Sequence, residues 1–178
     1  MPRQIALLRG INLGARNRVS MPDLRELLTG LGHEDVKTLL QSGNVVLTSD
    51  ETGEALEQAL ERAIAKDLGV ESRVVVRTAR ELAGVIRRDP FAGVADDPKR
   101  YQVSFLSAKP EAAVVRALEA ADVAPEQVAV SGREIYAWHP EGIQRSPLAK
   151  LLTDAKLGVT ATARNWNTVI KLLELARE

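Results

Sequence analysis

The chain has 178 residues, 45% hydrophobic and 27% charged, which is material for a real core and excludes a disordered polymer. Its 24 basic and 24 acidic residues cancel, so nucleic acid cannot be wrapped by bulk charge and only a local basic patch is available. The absence of cysteine rules out disulfides, thiol catalysis and cysteine metal sites.

No apolar run approaches the roughly 18 residues of a membrane span, and Arg9 breaks the N-terminal apolar run too early for a signal peptide. A soluble cytoplasmic protein with no membrane association is expected. In chain order, Ile5 to Leu8 reads as a buried strand. It gives way to a loop, Arg9-Gly-Ile-Asn-Leu-Gly-Ala-Arg-Asn-Arg18, that combines arginines, glycines and asparagines. Ser20 then stands as a helix N-cap, with Asp23 three residues on in capping-box spacing. Residues 1–20 hold four arginines and no acid. A strand, a basic loop and a helix N-terminus together aim N–H groups, a helix dipole and guanidinium groups at one place, which suits an anion.

A helix over 21–31 carries Leu24, Leu27, Leu28 and Leu31 on one face, with Pro22 in its first turn and Gly32 at its end. Val36–Leu40 and Val45–Thr48 are two strands joined by a hairpin turn at Gln41-Ser-Gly-Asn44. Leu56, Leu60, Ile64 and Leu68 mark a second helix from about Thr52, and Arg73–Val76 is a further strand. The order is β-α-β-β-α-β, the ferredoxin-like arrangement. Thr78 and Glu81 form a capping box that opens another helix, and residues 87–100 are rich in linker-type residues.

The pattern then restarts: strand 103–106, helix 110–121, and strands 128–130 and 135–138 around Ser131-Gly132. A short helix at 147–152, a last strand near 158–161 and a helix from Arg164 to Arg177 capped by Thr162 complete it. Ser-Gly turns at the same point in both halves point to a duplicated unit, the second modified. The expected fold class is α+β, two tandem ferredoxin-like plaits with an antiparallel sheet each: residues 1–78, a connecting helix and linker over 79–100, and residues 101–178.

In such a sheet the first two strands run the same way, so the loop after strand one and the hairpin between strands two and three share one edge. That gathers Arg9, Asn12, Arg16, Gln41, Ser42 and Asn44 on one rim. Arg9 carries the most weight, because it follows a buried strand, where a charge needs a partner or a ligand. Arg164, Asn165 and Asn167 crowd a predicted helix start, where cations oppose the dipole; a bound anion would remove that conflict, and Arg164 and Asn165 would join the site if that helix folds back. His33 and His139 lack metal-ligand spacing, and no metal or cofactor is expected. No Ser/His/Asp set, Walker loop or dinucleotide fingerprint is present.

Ala6-Leu-Leu-Arg-Gly-Ile-Asn-Leu-Gly14, Gln41-Ser-Gly-Asn-Val45 and Thr162-Ala-Arg-Asn-Trp-Asn-Thr168, in that order, resemble the bacterial domain of unknown function 1697 family. That resemblance implies two ferredoxin-like plaits in tandem and brings no activity, substrate or cofactor. Leu13 stands where valine is usual. From the residues, the expectation is a protein that binds a small anionic or phosphorylated ligand, or a nucleic-acid phosphate. The alternatives are an enzyme that works by electrostatic positioning, with Glu34 or Asp35 approaching the rim, and an interaction scaffold, with homodimerisation through sheet edges. Base stacking in the RNA-binding manner is disfavoured, since aromatics are 3% of the chain and absent from the first unit's strands.

Overall fold

The computed structural model describes residues 1–178. Its elements are β1 (Arg3–Leu8), α1 (Met21–Gly30), β2 (Glu34–Leu39), β3 (Asn44–Thr48), α2 (Gly53–Leu68), β4 (Val74–Thr78) and α3 (Ala79–Arg88). Then come β5 (Tyr101–Leu106), α4 (Ala112–Ala120), β6 (Gln127–Ser131), β7 (Glu134–Trp138), α5 (Pro147–Leu151), α6 (Asp154–Leu157), β8 (Ala161–Asn165) and α7 (Trp166–Arg177). This is an α+β protein with two four-stranded antiparallel sheets, ordered β2-β3-β1-β4 and β6-β7-β5-β8. The chain divides into two compact units, one of residues Met1–Gly84 with Lys171–Glu178 and the other of Val85–Ile170. No helix is long and apolar enough to cross a membrane.

In the first unit, alternation along the strands sends Ala6, Leu8, Val45, Leu47, Val74 and Val76 to one face of the sheet. There they pack with Leu24 and Leu28 of α1 and with Leu56, Leu60 and Ile64 of α2, at spacings that keep each helical set on one stripe. Each such valine, leucine or isoleucine side chain contributes about 1.5–3 kcal/mol when fully buried. The helix ends follow the sequence signals. Ser20 Oγ accepts from the Asp23 N–H (3.3 Å), and Thr78 and Glu81 bond reciprocally, each side chain to the other's N–H at 3.0 Å. The last turn of α7 returns to this unit, where Arg3 Nε donates to the Ala176 carbonyl (3.4 Å) and Lys37 pairs with Glu178 (3.7 Å).

Free sheet borders are managed by side chains. The outward N–H groups of Val74 and Val76 on β4 donate to Glu61 (3.0 Å) and Glu57 (2.9 Å) from α2. The matching strand of the second unit, β8, has the Ala161 N–H on Asp154 (2.9 Å). On the opposite border of the first sheet, β2 is interrupted by a register shift between Glu34 and Lys37, with Asp35 at φ +48°.

The second unit packs Leu106, Ile135 and Ala137 against Leu118, Leu148 and Leu157. All six aromatic residues of the chain belong to it, and Tyr101 stacks on Trp166 (4.7 Å between centroids) and meets Phe91 edge-on (6.0 Å). Between α3 and β5 the chain has no regular element, yet Asp89 anchors it by accepting from the Tyr101 hydroxyl (2.6 Å) and the Phe91 N–H (3.3 Å).

One part of the expected order is corrected. The last strand is Ala161–Asn165 rather than 158–161, and α7 begins at Trp166 rather than Arg164. Pairing with β5, which sets Arg164 opposite Val103, outweighs helix propensity here. The cap of α7 is accordingly Asn165, whose Oδ1 accepts from the Thr168 N–H (3.0 Å); Thr162 serves Arg164 instead.

Candidate functional site

The loop after β1 and the β2–β3 hairpin meet at one edge of the first unit's sheet, as the strand directions require. The Leu8 N–H donates to the Gly43 carbonyl (2.9 Å), and Asn12 Nδ2 donates to the Gln41 carbonyl (2.7 Å). Gly43 has φ +88°, and a Cβ there would lie 2.8 Å from both Leu8 Cβ and Ile11 Cδ1, so the hairpin closes on the loop only because this residue has no side chain.

Within the loop, Asn12 is the keystone. Besides Gln41, its Nδ2 donates to the Val19 carbonyl (3.0 Å), its Oδ1 accepts from the Val19 N–H (2.8 Å), and its own N–H donates to the Asn17 carbonyl (2.9 Å). Asn17 Nδ2 reaches the Gly10 carbonyl (3.3 Å), and Leu13 bridges Arg16 across the tip. Ile11 and Val19 are buried beneath, while Leu13 to Arg18 stand out in solvent. Asn12 and Asn17 hold positive φ (54° and 52°), which asparagine tolerates better than most residues. The result is a tongue of fixed shape. Asn12→Ala is expected to cost about 2–3 kcal/mol, because two backbone carbonyls and one N–H lose their partner. Amide exchange at Val19, quickened while that at Val46 is unchanged, would report it.

The predicted site residues sort into two groups. Arg9, Arg16, Gln41 and Ser42 are exposed on the rim, with Arg18 beside them. Asn44 is fully buried, donating to the Leu39 carbonyl (2.8 Å) and to Ser42 Oγ (2.9 Å), and Asn12 is committed as described; both shape the rim from behind. The expectation that Arg9 sits in a desolvated place is corrected: the strand's burial ends at Leu8, and Arg9 is exposed. Its backbone is fixed, with the N–H on the Arg73 carbonyl (2.9 Å) and the carbonyl accepting from Ser72 Oγ (2.8 Å). Glu34 and Asp35 do not approach the rim. They start β2, opposite Thr48, at the other end of the strand that leads into Gln41.

Arg164 and Asn165 belong to the second unit and end β8 rather than begin a helix. Arg164 is buried, donates to Thr162 Oγ1 (2.6 Å) and the Ala163 carbonyl (2.9 Å), and burial lowers its pKa to about 10.

The second unit also contains a grouping that no local spacing announced. Buried His139 Nδ1 lies 2.6 Å from Glu126 Oε2 and 3.1 Å from Ser146 Oγ, and the Ser146 hydroxyl also donates to Glu126. Its residue types are those of a hydrolase, its geometry is not. One imidazole nitrogen faces both partners, the carboxylate bonds the serine directly, and Ser146 Oγ accepts from the Ala149 N–H as the cap of α5 (2.9 Å). It is a buried latch. Nowhere do three or more His, Asp or Glu side chains gather as metal ligands.

Comparison with known proteins follows the same lines. The profile of the family described as "Protein of unknown function (DUF1697)" matches residues 1–136, and the chain belongs to that family. Among solved structures it is similar to the conserved bacterial protein SP0830 from Streptococcus pneumoniae, at 25% identity and a TM-score of 0.77, with 98% of each chain covered. A search of curated proteins found no match.

Proposed function

We propose that this protein binds an anionic ligand, carrying phosphate or carboxylate, on the rim formed by Arg9, Arg16, Arg18, Gln41 and Ser42. The observation that carries this is a difference between two otherwise matched connections. In both units the last residue of the first strand donates to a carbonyl of the hairpin turn, Leu8 to Gly43 and Leu106 to Arg133, each at 2.9 Å. The second unit then reaches its helix through residues 107–111 alone, whereas the first uses residues 9–20. The scaffold needs no such length. The surplus forms a rigid tongue carrying guanidinium groups suited to charge-assisted hydrogen bonds. The matched strand orders and turn bonds also support reading each unit as a ferredoxin-like plait, the second a modified copy of the first.

An enzyme acting by proton transfer is the weaker reading, since Glu34 and Asp35, on which it relied, lie at the far end of β2. Sequence-reading of RNA by base stacking finds no aromatic residue in the unit that carries the rim.

A thermal-shift panel of phosphate, sulfate, nucleotides, sugar phosphates and short oligonucleotides tests the proposal on wild type and the double variant Arg16→Glu/Arg18→Glu. A ligand at about 100 times its Kd adds about 2.7 kcal/mol, or roughly 5–10 °C for a chain of this size. The variant should melt within about 2 °C of wild type, since both side chains are exposed, and should lose the shift. A shift retained in the variant removes the rim as the site; no shift with any ligand in wild type removes the proposal.

A further inference from the structure

The rim is not only cationic. Leu13 at the tip of the tongue is 74% exposed and Leu40 at the start of the hairpin turn is 56% exposed, the two most exposed leucines of the chain. Their neighbours Asn12 and Gln41 are joined by the hydrogen bond that locks the two loops, so both leucines flank one point. Single exposed leucines are ordinary, but Leu40 also sits at φ +60°, a left-handed conformation that a bulky residue adopts only under strain. Glycine or asparagine would be both less strained and more soluble there. The shorter, two-residue turn of the second unit has a glycine at its left-handed position, Gly132 at φ +58°. Leu40 thus costs the fold stability and returns little packing, which is the signature of a side chain kept for something outside the fold.

Resting on the anion-binding reading of this rim, we propose that its partner is a segment of another protein in which acidic residues are interleaved with apolar ones. The acids meet Arg9, Arg16 and Arg18, and the apolar side chains cover Leu13 and Leu40. A free inorganic anion would use the arginines and leave the leucines without a role. An anionic bilayer would use both, but its continuous charge would also press on Glu71, exposed beside Ser72, which bonds the Arg9 carbonyl at this same edge, and the chain as a whole carries no net positive charge. A peptide can place its acids to avoid Glu71.

The test is fluorescence anisotropy with a labelled synthetic peptide alternating glutamate and leucine, and a control in which serine replaces leucine. Inorganic phosphate serves as competitor, and phosphatidylserine–phosphatidylcholine vesicles are assayed in parallel by sedimentation. Wild type should prefer the Glu/Leu peptide by about tenfold or more, as expected for covering a leucine on each side, and phosphate should displace it. Leu40→Gly should lose that preference while melting slightly higher than wild type, and Leu13→Ser should lose it without change in melting. Equal affinity for the two peptides, with phosphate still competing, overturns the inference and leaves the anion reading intact. Neither peptide binding nor phosphate stabilising the protein overturns both. Vesicle binding that depends on Leu13 and Leu40, without any peptide preference, assigns the rim to a bilayer and likewise overturns the inference.

Discussion

Glu126→Ala is expected to lower the thermal midpoint of the protein by roughly 10 °C. The carboxylate is 7% exposed and accepts from the Ser146 hydroxyl and from the Leu148 N–H (3.0 Å), with His139 Nδ1 at 2.6 Å. Removing it takes this acceptor from three buried polar groups; His139 Nδ1 and Ser146 Oγ, 3.1 Å apart, can still bond each other, so two are left without an acceptor at about 1–3 kcal/mol each. Their sum brackets the roughly 3–5 kcal/mol lost when one partner of a buried ion pair is removed. The loss should centre on residues 139–148, which this cluster ties to the rest of the second unit. Titration gives the effect a sign. Burial works to raise the Glu126 pKa, and the bonds from Ser146, His139 and the Leu148 N–H overcome it, holding the carboxyl below its ordinary 4.5. A carboxyl that titrates lower when folded contributes stability that is fully present above about pH 4.5 and lost as pH falls through the lower folded value. Melting curves of wild type should therefore decline more steeply below that pH than those of Glu126→Gln. Parallel declines in the two proteins would show that the carboxylate does not stabilise the latch.

Gly43→Ala is the second large effect, expected at about 2–5 kcal/mol by chemical denaturation. Two costs add. Alanine at φ +88° is strained by about 1–2 kcal/mol, and its Cβ would approach Leu8 Cβ and Ile11 Cδ1 to 2.8 Å, where overpacking costs about 1–3 kcal/mol. Ile11 can turn its methyl aside; Leu8 Cβ is fixed to a central strand and cannot. The hairpin must then lift, stretching the Leu8–Gly43 and Asn12–Gln41 bonds, so the tongue should gain amide exchange together with the loss of stability. Gly132→Ala is the control, since nothing lies within 4 Å of its Cβ position and only the strain remains. Equal costs for the two substitutions would refute the close approach.

Much of this architecture was legible because it is written in short-range pattern. The alternation of Ile5 to Leu8, the leucine stripe of α2, the Thr78–Glu81 capping box and the Ser-Gly turns each act over a few residues, and strand directions then force the loop and hairpin onto one edge. What was not legible depends on partners distant in sequence. β8 has no apolar alternation of its own, and Arg164 looked like a helix residue until its pairing with β5 is known. Glu126, His139 and Ser146 meet only through the fold. That the loop and the hairpin converge follows from the strand directions; which of their side chains face outward does not. Asn12 and Asn44 carry the polarity expected of ligand donors and spend it on bonds within the loop and hairpin, whereas Leu13 reads in the sequence only as a replacement for valine and Leu40 only as the end of a strand.

The carboxylates on β4 and β8 have a consequence for how the chain behaves in a crowd. Each sheet could in principle polymerise sideways, copy upon copy, in the manner of amyloid seeds. With Glu57 and Glu61 bonded to the N–H groups of β4, and Asp154 to that of β8, the last strand of each unit offers no ready template. The kink at Asp35 and the charge of Lys37 spoil the opposite border of the first sheet. Self-templating is thereby discouraged on three of the four margins.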